Sequence, residues 1–221
     1  FGSAPAIQAK LGASNAVAFD LTAACSGFLF ALITASQFLK AGNFKRALVV
    51  GADQLSSFVD WNDRRSCILF GDGAGALAIE ATNEFDNFIG FDMRTDGERG
   101  SFLNLPSKND KDSIIDNIDF LSGGFSPIQM NGQEVYKFAV KEVPIILDKL
   151  LRKTNFSSDE VDWLVLHQAN QRILDSVGDR LKIPREKILS NLEKYGNTSA
   201  ATIPLMMDEA IRSNKIQQND I

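Results

Sequence analysis

The chain has 221 residues, 44% of them hydrophobic and 23% charged, and its formal net charge at pH 7 is −5. This composition is typical of a globular protein with one large domain or two smaller ones. It argues against a general nucleic-acid-binding protein, since neutralising phosphates requires a basic surface, and against a membrane span, since no stretch approaches the ~20 unbroken apolar residues that a span needs.

Strands and a buried helix alternate in the first part of the chain. Residues 16–21 (AVAFDL) predict a short strand, and the segment 26–40 is apolar on nearly every face, which is typical of a buried helix. Residues 47–52 (ALVVGA) form a continuous apolar run, which predicts a strand covered on both faces. Shorter strands are predicted at 67–70 and 76–80, around the glycine-rich FGDGAGA.

The same order returns in the second part of the chain. The predicted elements are a strand (88–93), a polar stretch without assigned structure (95–131), a helix (134–151), a strand (163–167), an amphipathic helix with Ile173, Leu174, Val177 and Leu181 on its apolar face, and a last helix (198–213). Strands that alternate with long helices predict an α/β fold with covered sheets. The repeated order predicts two related halves that join near residue 85.

Cys25 lies in TAACSGF, where a predicted strand ends and the buried helix begins. A thiol at a helix N-terminus faces unpaired N–H groups and the positive end of the helix dipole, and both lower its pKa. Because the thiolate is the attacking species, this position indicates a nucleophile rather than a packed cysteine. Cys67 has no such context and is predicted to be structural. Two cysteines cannot form the disulfide framework of a small secreted protein.

His167 and Asn197 are weaker candidates. His167, the only histidine in the sequence, ends the apolar strand WLVLH, and the carboxyl ends of strands are where α/β folds bind ligands. A histidine in this position can also be a satisfied core residue. Asn197, in YGNTSAA, precedes a helix, where asparagine commonly acts as a cap. Each residue therefore keeps a structural explanation when it is considered alone.

Two further segments carry no clear site. FGDGAGA (70–76) lacks both the lysine of a phosphate-binding loop and the glycine spacing of a dinucleotide-binding loop. Its glycines are therefore predicted to allow close packing of a strand. The aspartates between residues 110 and 119 show no metal-ligand order, so no metal site is predicted.

Four motifs, taken together and in this order, resemble those of β-ketoacyl-ACP synthase III. They are AACSGF around Cys25, the pair Asp63-Arg64 followed by FGDGAGA, HQANQR at 167–172, and YGNTSAA at 195–201. The resemblance runs along essentially the whole chain. It implies the thiolase fold, an α/β fold in which two similar βαβ-type halves form a layered α/β/α/β/α arrangement. Residues 1–84 would belong to the N-terminal half and residues 85–221 to a truncated C-terminal half.

The resemblance implies an activity and a role for each candidate. The family condenses an acyl-CoA primer, here expected to be acetyl-CoA, with malonyl-ACP, and the decarboxylation yields a 3-oxoacyl-ACP that initiates fatty-acid synthesis. Carried over, Cys25 takes the acyl group as a thioester, which splits one difficult condensation into two steps. His167 and Asn197 stabilise the negative charge that develops on the malonyl thioester oxygen. No cofactor is implied.

The resemblance also assigns binding residues. The expected contacts with acyl carrier protein are Gln168, Ala169, Asn170, Gln171 and Arg172; those with CoA are Arg64, Tyr136 and Asn170; and Phe70 lies near the acyl pocket. Residues 167–194 hold six Lys or Arg and four acids, a local charge of about +2 that suits an acidic carrier protein. An ordinary mixed helix surface would give the same count. The remaining implied partner is a second copy of the chain, in a homodimer.

Residue types separate this family from its relatives. Elongating synthases use Cys–His–His, whereas this chain has one histidine, and thiolases carry a second catalytic cysteine. Plant-type polyketide synthases share Cys–His–Asn, so a polyketide or secondary-metabolite condensing enzyme is the alternative function. A non-catalytic partner subunit is a further alternative, although such a subunit would be expected to lose the nucleophile.

The ends of the chain also differ from the family pattern. The family has further strands before Phe1 and a glycine-rich strand–loop after Ile221, so the chain is interpreted as a fragment. It begins with Phe1 and shows neither the basic nor the apolar region of a signal peptide. We therefore expect a protein of the cytoplasm or of the plastid stroma.

Overall fold

The computed structural model describes residues 2–83, 87–115 and 118–221, with the backbone alone at 109–115 and 118–122. The helices are α1 (Ser3–Lys10), α2 (Gly27–Lys40), α3 (Gly132–Thr154), α4 (Gln171–Leu181), α5 (Leu192–Tyr195) and α6 (Thr202–Arg212). The strands are β1 (Arg46–Gln54), β2 (Asp72–Glu80), β3 (Leu103–Asn104), β4 (Ser107–Ile115), β5 (Ile118–Phe125) and β6 (Gln129–Met130). No helix in these described ranges has the length and apolar character needed to cross a membrane.

β1 and β2 form an antiparallel pair that supports two helices. Their register runs from Arg46 opposite Glu80 to Gln54 opposite Asp72. Helices α2 and α6 pack on this pair, and Phe28, Val49 and Ile203 form the buried core between them. Burial alternates along β1, and Leu48 on the other face is 50% exposed. The strand is thus covered on one face by the described residues, and the expectation that both faces of 47–52 are covered is wrong for this part of the chain.

The glycines of β2 and of β1 let these strands approach the second half closely. A Cβ on Gly75 would lie 2.8 Å from Cβ of Pro204, and a Cβ on Gly51 would collide with the carbonyl oxygen of Ala200. Real Cβ atoms do not come so close, so only glycine fits at either position. The prediction that the FGDGAGA glycines serve close packing is therefore confirmed.

A second core joins α3 and α4. Its buried members are Val161, Leu164, Ile173, Leu174, Val177, Leu181, Ile183 and Ile188. The apolar face of α4 that was predicted from the sequence supplies four of these residues, and α3 covers them through Tyr136, Ala139 and Val143. Leu164 pairs with Ile188 in an isolated parallel bridge. This core fixes the segment that ends at His167.

Several segments that were predicted to be strands do not form strands in the structure. Residues 16–21 and 88–93 have no ladder partner among the described residues, and 163–167 has only the bridge at Leu164. A strand is defined by hydrogen bonds to a neighbour, which a local sequence pattern cannot supply. Residues 67–70 form a turn, and only Phe70 makes a bridge. Conversely, the polar stretch 95–131 contains the hairpin β4–β5, which the sequence did not predict.

The two predicted halves share one local structure. A 3₁₀ turn at Ala24–Ser26 leads into α2, and a 3₁₀ turn at Ser199–Ala201 leads into α6. The first residue of each turn has a left-handed backbone, with φ of 46° at Ala24 and 53° at Ser199. The two turns pack against each other. The predicted boundary at residues 84 and 85 lies outside the described residues, so the division of the chain stays a prediction.

Candidate active site

Cys25 is the middle residue of the first 3₁₀ turn, directly before α2. The preceding Ala24 has φ of 46°, a conformation that costs a non-glycine residue roughly 1–3 kcal/mol and that concentrates at functional sites. The small residues around Cys25 predicted this elbow, whereas the expectation that the helix after it is buried on every face is wrong among the described residues, since Leu29 and Phe38 of α2 are 42% and 40% exposed. Cys67 is also a free cysteine, and it lies in the turn at 67–70.

The pKa of the Cys25 thiol moves in the direction opposite to the one expected. Burial raises the pKa, and the carboxylate of Asp53 raises it further, while hydrogen bonds from the Ser199 hydroxyl and the backbone act in the opposite direction. The sequence argument considered the helix N-terminus and could not see the burial, which is the largest cause. Cys25 is therefore a neutral thiol at physiological pH, and attack on a thioester requires that its proton be removed.

His167 is held by a buried chain of hydrogen bonds. Its Nδ1 lies 2.7 Å from Oγ1 of Thr202, and Thr202 Oγ1 donates to the carbonyl oxygen of Ser199 over 3.1 Å. Desolvation of the ring lowers the pKa of His167 from 6.5 to about 4. The imidazole is therefore neutral at physiological pH.

Asn197 is fixed through both its main chain and its side chain. Its N–H donates to Leu69 O and its carbonyl accepts from the N–H of Gly71, each over 2.9 Å. Its Oδ1 accepts from the N–H of Ser199 over 2.9 Å. The N-cap of the second 3₁₀ turn is Thr198, which makes no side-chain cap, so the prediction that Asn197 is the cap is wrong in position; Asn197 lies one residue earlier and its Oδ1 accepts from the first N–H of the turn. The same bond orients the carboxamide, so that Nδ2 is left as a donor.

The three candidates line one cavity of about 1490 Å³. Phe70, Tyr136, Ala169 and Asn170 line it as well. Much of the remaining wall is apolar and comes from α2, α3 and the segments 88–93 and 126–131. The structure therefore brings a thiol, a neutral imidazole and an oriented carboxamide to one apolar cavity.

Of the three predicted CoA contacts, Tyr136 and Asn170 line the cavity and Arg64 does not. Tyr136 lies on the cavity, with its hydroxyl 3.0 Å from Oγ of Ser176. Asn170 caps α4 through the N–H of Arg172, over 2.9 Å. Arg64 is exposed and is not among the described residues that line the cavity, whereas its neighbour Arg65 does line it.

The predicted carrier contacts include one correction. Gln168 is 0% exposed, and its side chain bonds to the carbonyls of Leu166 and Leu189. A side chain enclosed in this way cannot touch a carrier protein, so the expectation for Gln168 is wrong. Arg172 is exposed, and its guanidinium stacks on the ring of Tyr136 with 5.3 Å to the centroid.

The other residues of this motif take intermediate positions. Ala169 lines the cavity, and Asn170 is exposed at its edge. The Gln171 side chain donates to Asp175 over 2.8 Å and accepts from Ser190 over 3.1 Å. Gln171 is thus used within the protein, and Arg172 remains the exposed cation at the start of α4.

Sequence reasoning missed three residues of the site. Ser199 and Thr202 bond to the candidate residues, and Asp53 accepts from the N–H of Ala200 over 3.1 Å. The available signal was the run of small hydroxyl residues after Asn197 in YGNTSAAT. Across the residues that the structure describes, no group of three or more His, Cys, Asp or Glu could hold a metal ion.

Comparisons with known proteins match both parts of the chain. Residues 19–97 match the family model described as 3-Oxoacyl-[acyl-carrier-protein (ACP)] synthase III, and residues 151–221 match the model of its C-terminal region. The chain is 93% identical over all 221 residues to "Beta-ketoacyl-[acyl-carrier-protein] synthase III" of Prochlorococcus marinus (strain MIT 9215), and it covers 66% of that relative.

Solved structures give the same result. The crystal structure of 3-oxoacyl-[acyl-carrier-protein] synthase III from Aquifex aeolicus VF5 superposes with a TM-score of 0.87 at 39% identity, over 98% of this chain and 65% of that one. A second solved 3-oxoacyl-(acyl-carrier-protein) synthase III gives 0.86 at 30% identity, over 99% of this chain and 67% of that one.

The likeness to these structures defines the class: the chain has the thiolase fold of condensing enzymes, as the motifs predicted. Within that class, the chain belongs to the 3-oxoacyl-[acyl-carrier-protein] synthase III family. It spans 66% of the length of three curated relatives to which it is 90–93% identical.

Proposed function

We propose that the complete protein condenses an acyl-CoA primer with malonyl-ACP, with loss of CO₂, to give a 3-oxoacyl-ACP and initiate fatty-acid synthesis. The observation that carries this proposal is the meeting of Cys25, His167 and Asn197 on one apolar cavity, in a chain of this family. The preferred primer is expected to be acetyl-CoA. Both half-reactions only break and form bonds within the substrates and Cys25, so no cofactor is needed.

Cys25 is proposed to accept the acyl group. Its sulfur attacks the carbonyl carbon of the acyl-CoA thioester, the bond from that carbon to the CoA sulfur breaks, and CoA leaves as the thiol. The partial burial that raises the pKa of Cys25 also limits the access of water to the resulting thioester. A thioester held in an apolar cavity therefore persists until malonyl-ACP arrives.

His167 and Asn197 are proposed to stabilise decarboxylation. When the malonyl carboxylate leaves as CO₂, the electron pair of its C–C bond forms an enolate whose charge rests on the thioester oxygen. The enolate carbon then attacks the acyl carbon on Cys25, and the Cys25 sulfur leaves as a thiolate, which takes up one proton to restore the neutral thiol. Fixed donors that face the developing oxyanion lower this barrier, and Asn197 Nδ2 is oriented for that task because Oδ1 is held by Ser199.

The carrier protein is proposed to dock beside the start of α4. Arg172 is exposed there, next to the cavity-lining residues Tyr136 and Asn170. An acidic carrier would be steered by this cation and by the excess of basic residues in 167–194. Asn170 and Tyr136 would then lie along the path of the phosphopantetheine arm, and Phe70 beside the acyl group.

We further propose that the complete protein is a homodimer of the cytoplasm or plastid stroma. Light scattering on the complete protein at micromolar concentration tests the assembly, and a monomer would contradict it. The activity is tested by incubating acetyl-CoA and malonyl-ACP with the complete protein and with its Cys25→Ala variant. We expect acetoacetyl-ACP from the wild type alone, while the variant still releases CO₂ from malonyl-ACP.

A further inference from the structure

Thr202, the first residue of α6, bonds to both His167 and Ser199 but does not line the cavity. It is 2% exposed, and it is not among the described residues that line the cavity around Cys25. Its hydroxyl oxygen lies 2.7 Å from Nδ1 of His167, and it also donates to the carbonyl of Ser199 over 3.1 Å. Thr202 therefore acts on the reaction through the residues that it bonds, and His167 is the one of these whose side chain it contacts directly.

The hydrogen bonds of Thr202 determine where the imidazole proton lies. A hydroxyl has one hydrogen but two lone pairs. Because that hydrogen is donated to the Ser199 carbonyl, the oxygen must accept a hydrogen from Nδ1 of His167. We propose that Thr202 is a positioning residue that sets the tautomer of His167, with the proton on Nδ1 and a lone pair on Nε2 in the resting protein. This inference rests on the proposed function and deepens it.

This tautomer suits the acylation half-reaction. Nε2 can take the proton of the neutral Cys25 thiol, while the sulfur electron pair forms the bond to the acyl carbon. The bond between that carbon and the CoA sulfur then breaks, and the leaving sulfur takes the proton back from Nε2. His167 ends neutral with its proton on Nδ1, and Thr202 has kept its bonds throughout.

The decarboxylation half-reaction needs the other tautomer. A donor to the enolate requires hydrogen on Nε2, and Nδ1 must then accept a hydrogen bond. Rotation of the Thr202 hydroxyl from Ser199 toward Nδ1 supplies that bond, because the same oxygen lies within reach of both. The exchange moves one proton from Nδ1 to Nε2 and is neutral overall. One hydroxyl thus supports both states of one imidazole.

Nitrogen-15 NMR of the complete protein tests the proposal directly. The ring signals of His167 are identified by their loss in a His167→Ala variant. In the resting wild type at pH 7 we expect a protonated Nδ1 and an unprotonated Nε2. In Thr202→Val, which keeps the size but removes the hydroxyl, we expect the Nε2–H form to gain population. A wild type with its proton on Nε2 overturns the proposal, as does a Thr202→Val variant with the wild-type tautomer.

Kinetics supply the second readout and its controls. Thr202→Val should lower the rate of acylation by roughly 10- to 100-fold, the range found when the partner that orients a metal-bound histidine is removed, with little change in KM. Decarboxylation should fall less, because the variant already populates the Nε2–H form that this step uses. Thr202→Ser retains the hydroxyl and should restore the acylation rate. The matched control is Thr198→Val, because the buried Oγ1 of Thr198 has no hydrogen-bond partner within the described residues, and we expect nearly wild-type rates.

The two proposals can fail separately. If the tautomer is as expected but acetyl-CoA and malonyl-ACP give no product, the proposed function is wrong and the role of Thr202 stands. If product forms and the Thr202→Val rates equal those of Thr198→Val, the role of Thr202 is wrong and the function stands.

Discussion

One substitution can separate the roles of Oδ1 and Nδ2, the two polar atoms of the Asn197 side chain. Asn197→Asp keeps an oxygen that accepts from the N–H of Ser199, a bond of 2.9 Å, but it removes the Nδ2 donor. Losing one oxyanion donor costs about 2.7–4 kcal/mol of transition-state stabilisation, a factor of roughly 10²–10³ in rate. We therefore expect decarboxylation of malonyl-ACP to fall by at least that factor. Acylation of Cys25 should continue, since it does not use this donor.

Asn197→Ala provides the comparison. It removes the donor and the Oδ1 hydrogen bond to Ser199 together, and a lost hydrogen bond costs about 1 kcal/mol of stability. Asn197 is 7% exposed, so the new carboxylate of Asn197→Asp also costs stability through its desolvation, and urea denaturation should show a loss for both variants. CO₂ release and the mass of the acylated protein follow the two half-reactions in each variant. Decarboxylation at the wild-type rate in Asn197→Asp would refute the assignment of Nδ2 as a donor.

Three further perturbations follow from the described contacts. Arg172→Glu should raise KM for malonyl-ACP and leave acylation by acyl-CoA intact, whereas Arg212→Glu, which removes an exposed cation paired with an aspartate on α6, should change neither. The pKa of His167 is about 4 in the folded protein, against an ordinary value of 6.5, so the folded protein binds this proton less tightly than the unfolded chain. Up to about 3 kcal/mol of folding stability is therefore present above pH 6.5 and is lost as the pH falls toward 4. Urea midpoints measured across this pH range should show the loss in the wild type and not in His167→Ala. Gly75→Ala places a Cβ 2.8 Å from Pro204 and should cost about 1–3 kcal/mol, whereas Gly97→Ala, with open space around it, should cost little.

Local features of the site were predictable from the sequence. The elbow at Cys25 follows from small residues between an apolar segment and an apolar helix, and the apolar face of α4 follows from the spacing of Ile173, Leu174 and Val177. Each of these depends on residues within one or two helical turns, where sequence patterns carry direct information.

Properties that depend on distant residues were not predictable. The pKa of Cys25 was expected to fall, but burial by other segments raises it. Gln168 was grouped with exposed neighbours by its motif, although the segment around Leu189 encloses it. The strand at 16–21 has an apolar pattern but no ladder partner among the described residues. In each case, the deciding contact is far away in sequence.

The tautomer of His167 illustrates the same limit at atomic scale. Thr202 is 35 residues from His167 in sequence, and its hydroxyl is one of several in the YGNTSAAT run. From the sequence, the family resemblance assigned the YGNTSAA motif as a whole to the site. Only the structure distinguishes Thr202, which bonds to His167, from Thr198, whose Oγ1 has no partner in the described part of the chain.

Intact-mass measurement of the complete protein after mixing with a panel of acyl-CoAs tests the central claim most directly. If Cys25 is the nucleophile of a condensing enzyme, the wild type should gain the mass of one acyl group, acetyl among those transferred. That mass should disappear on addition of malonyl-ACP, and Cys25→Ala should gain none. An acyl adduct that persists in Cys25→Ala, or a wild type that stays unmodified with every acyl-CoA tested, would contradict the account.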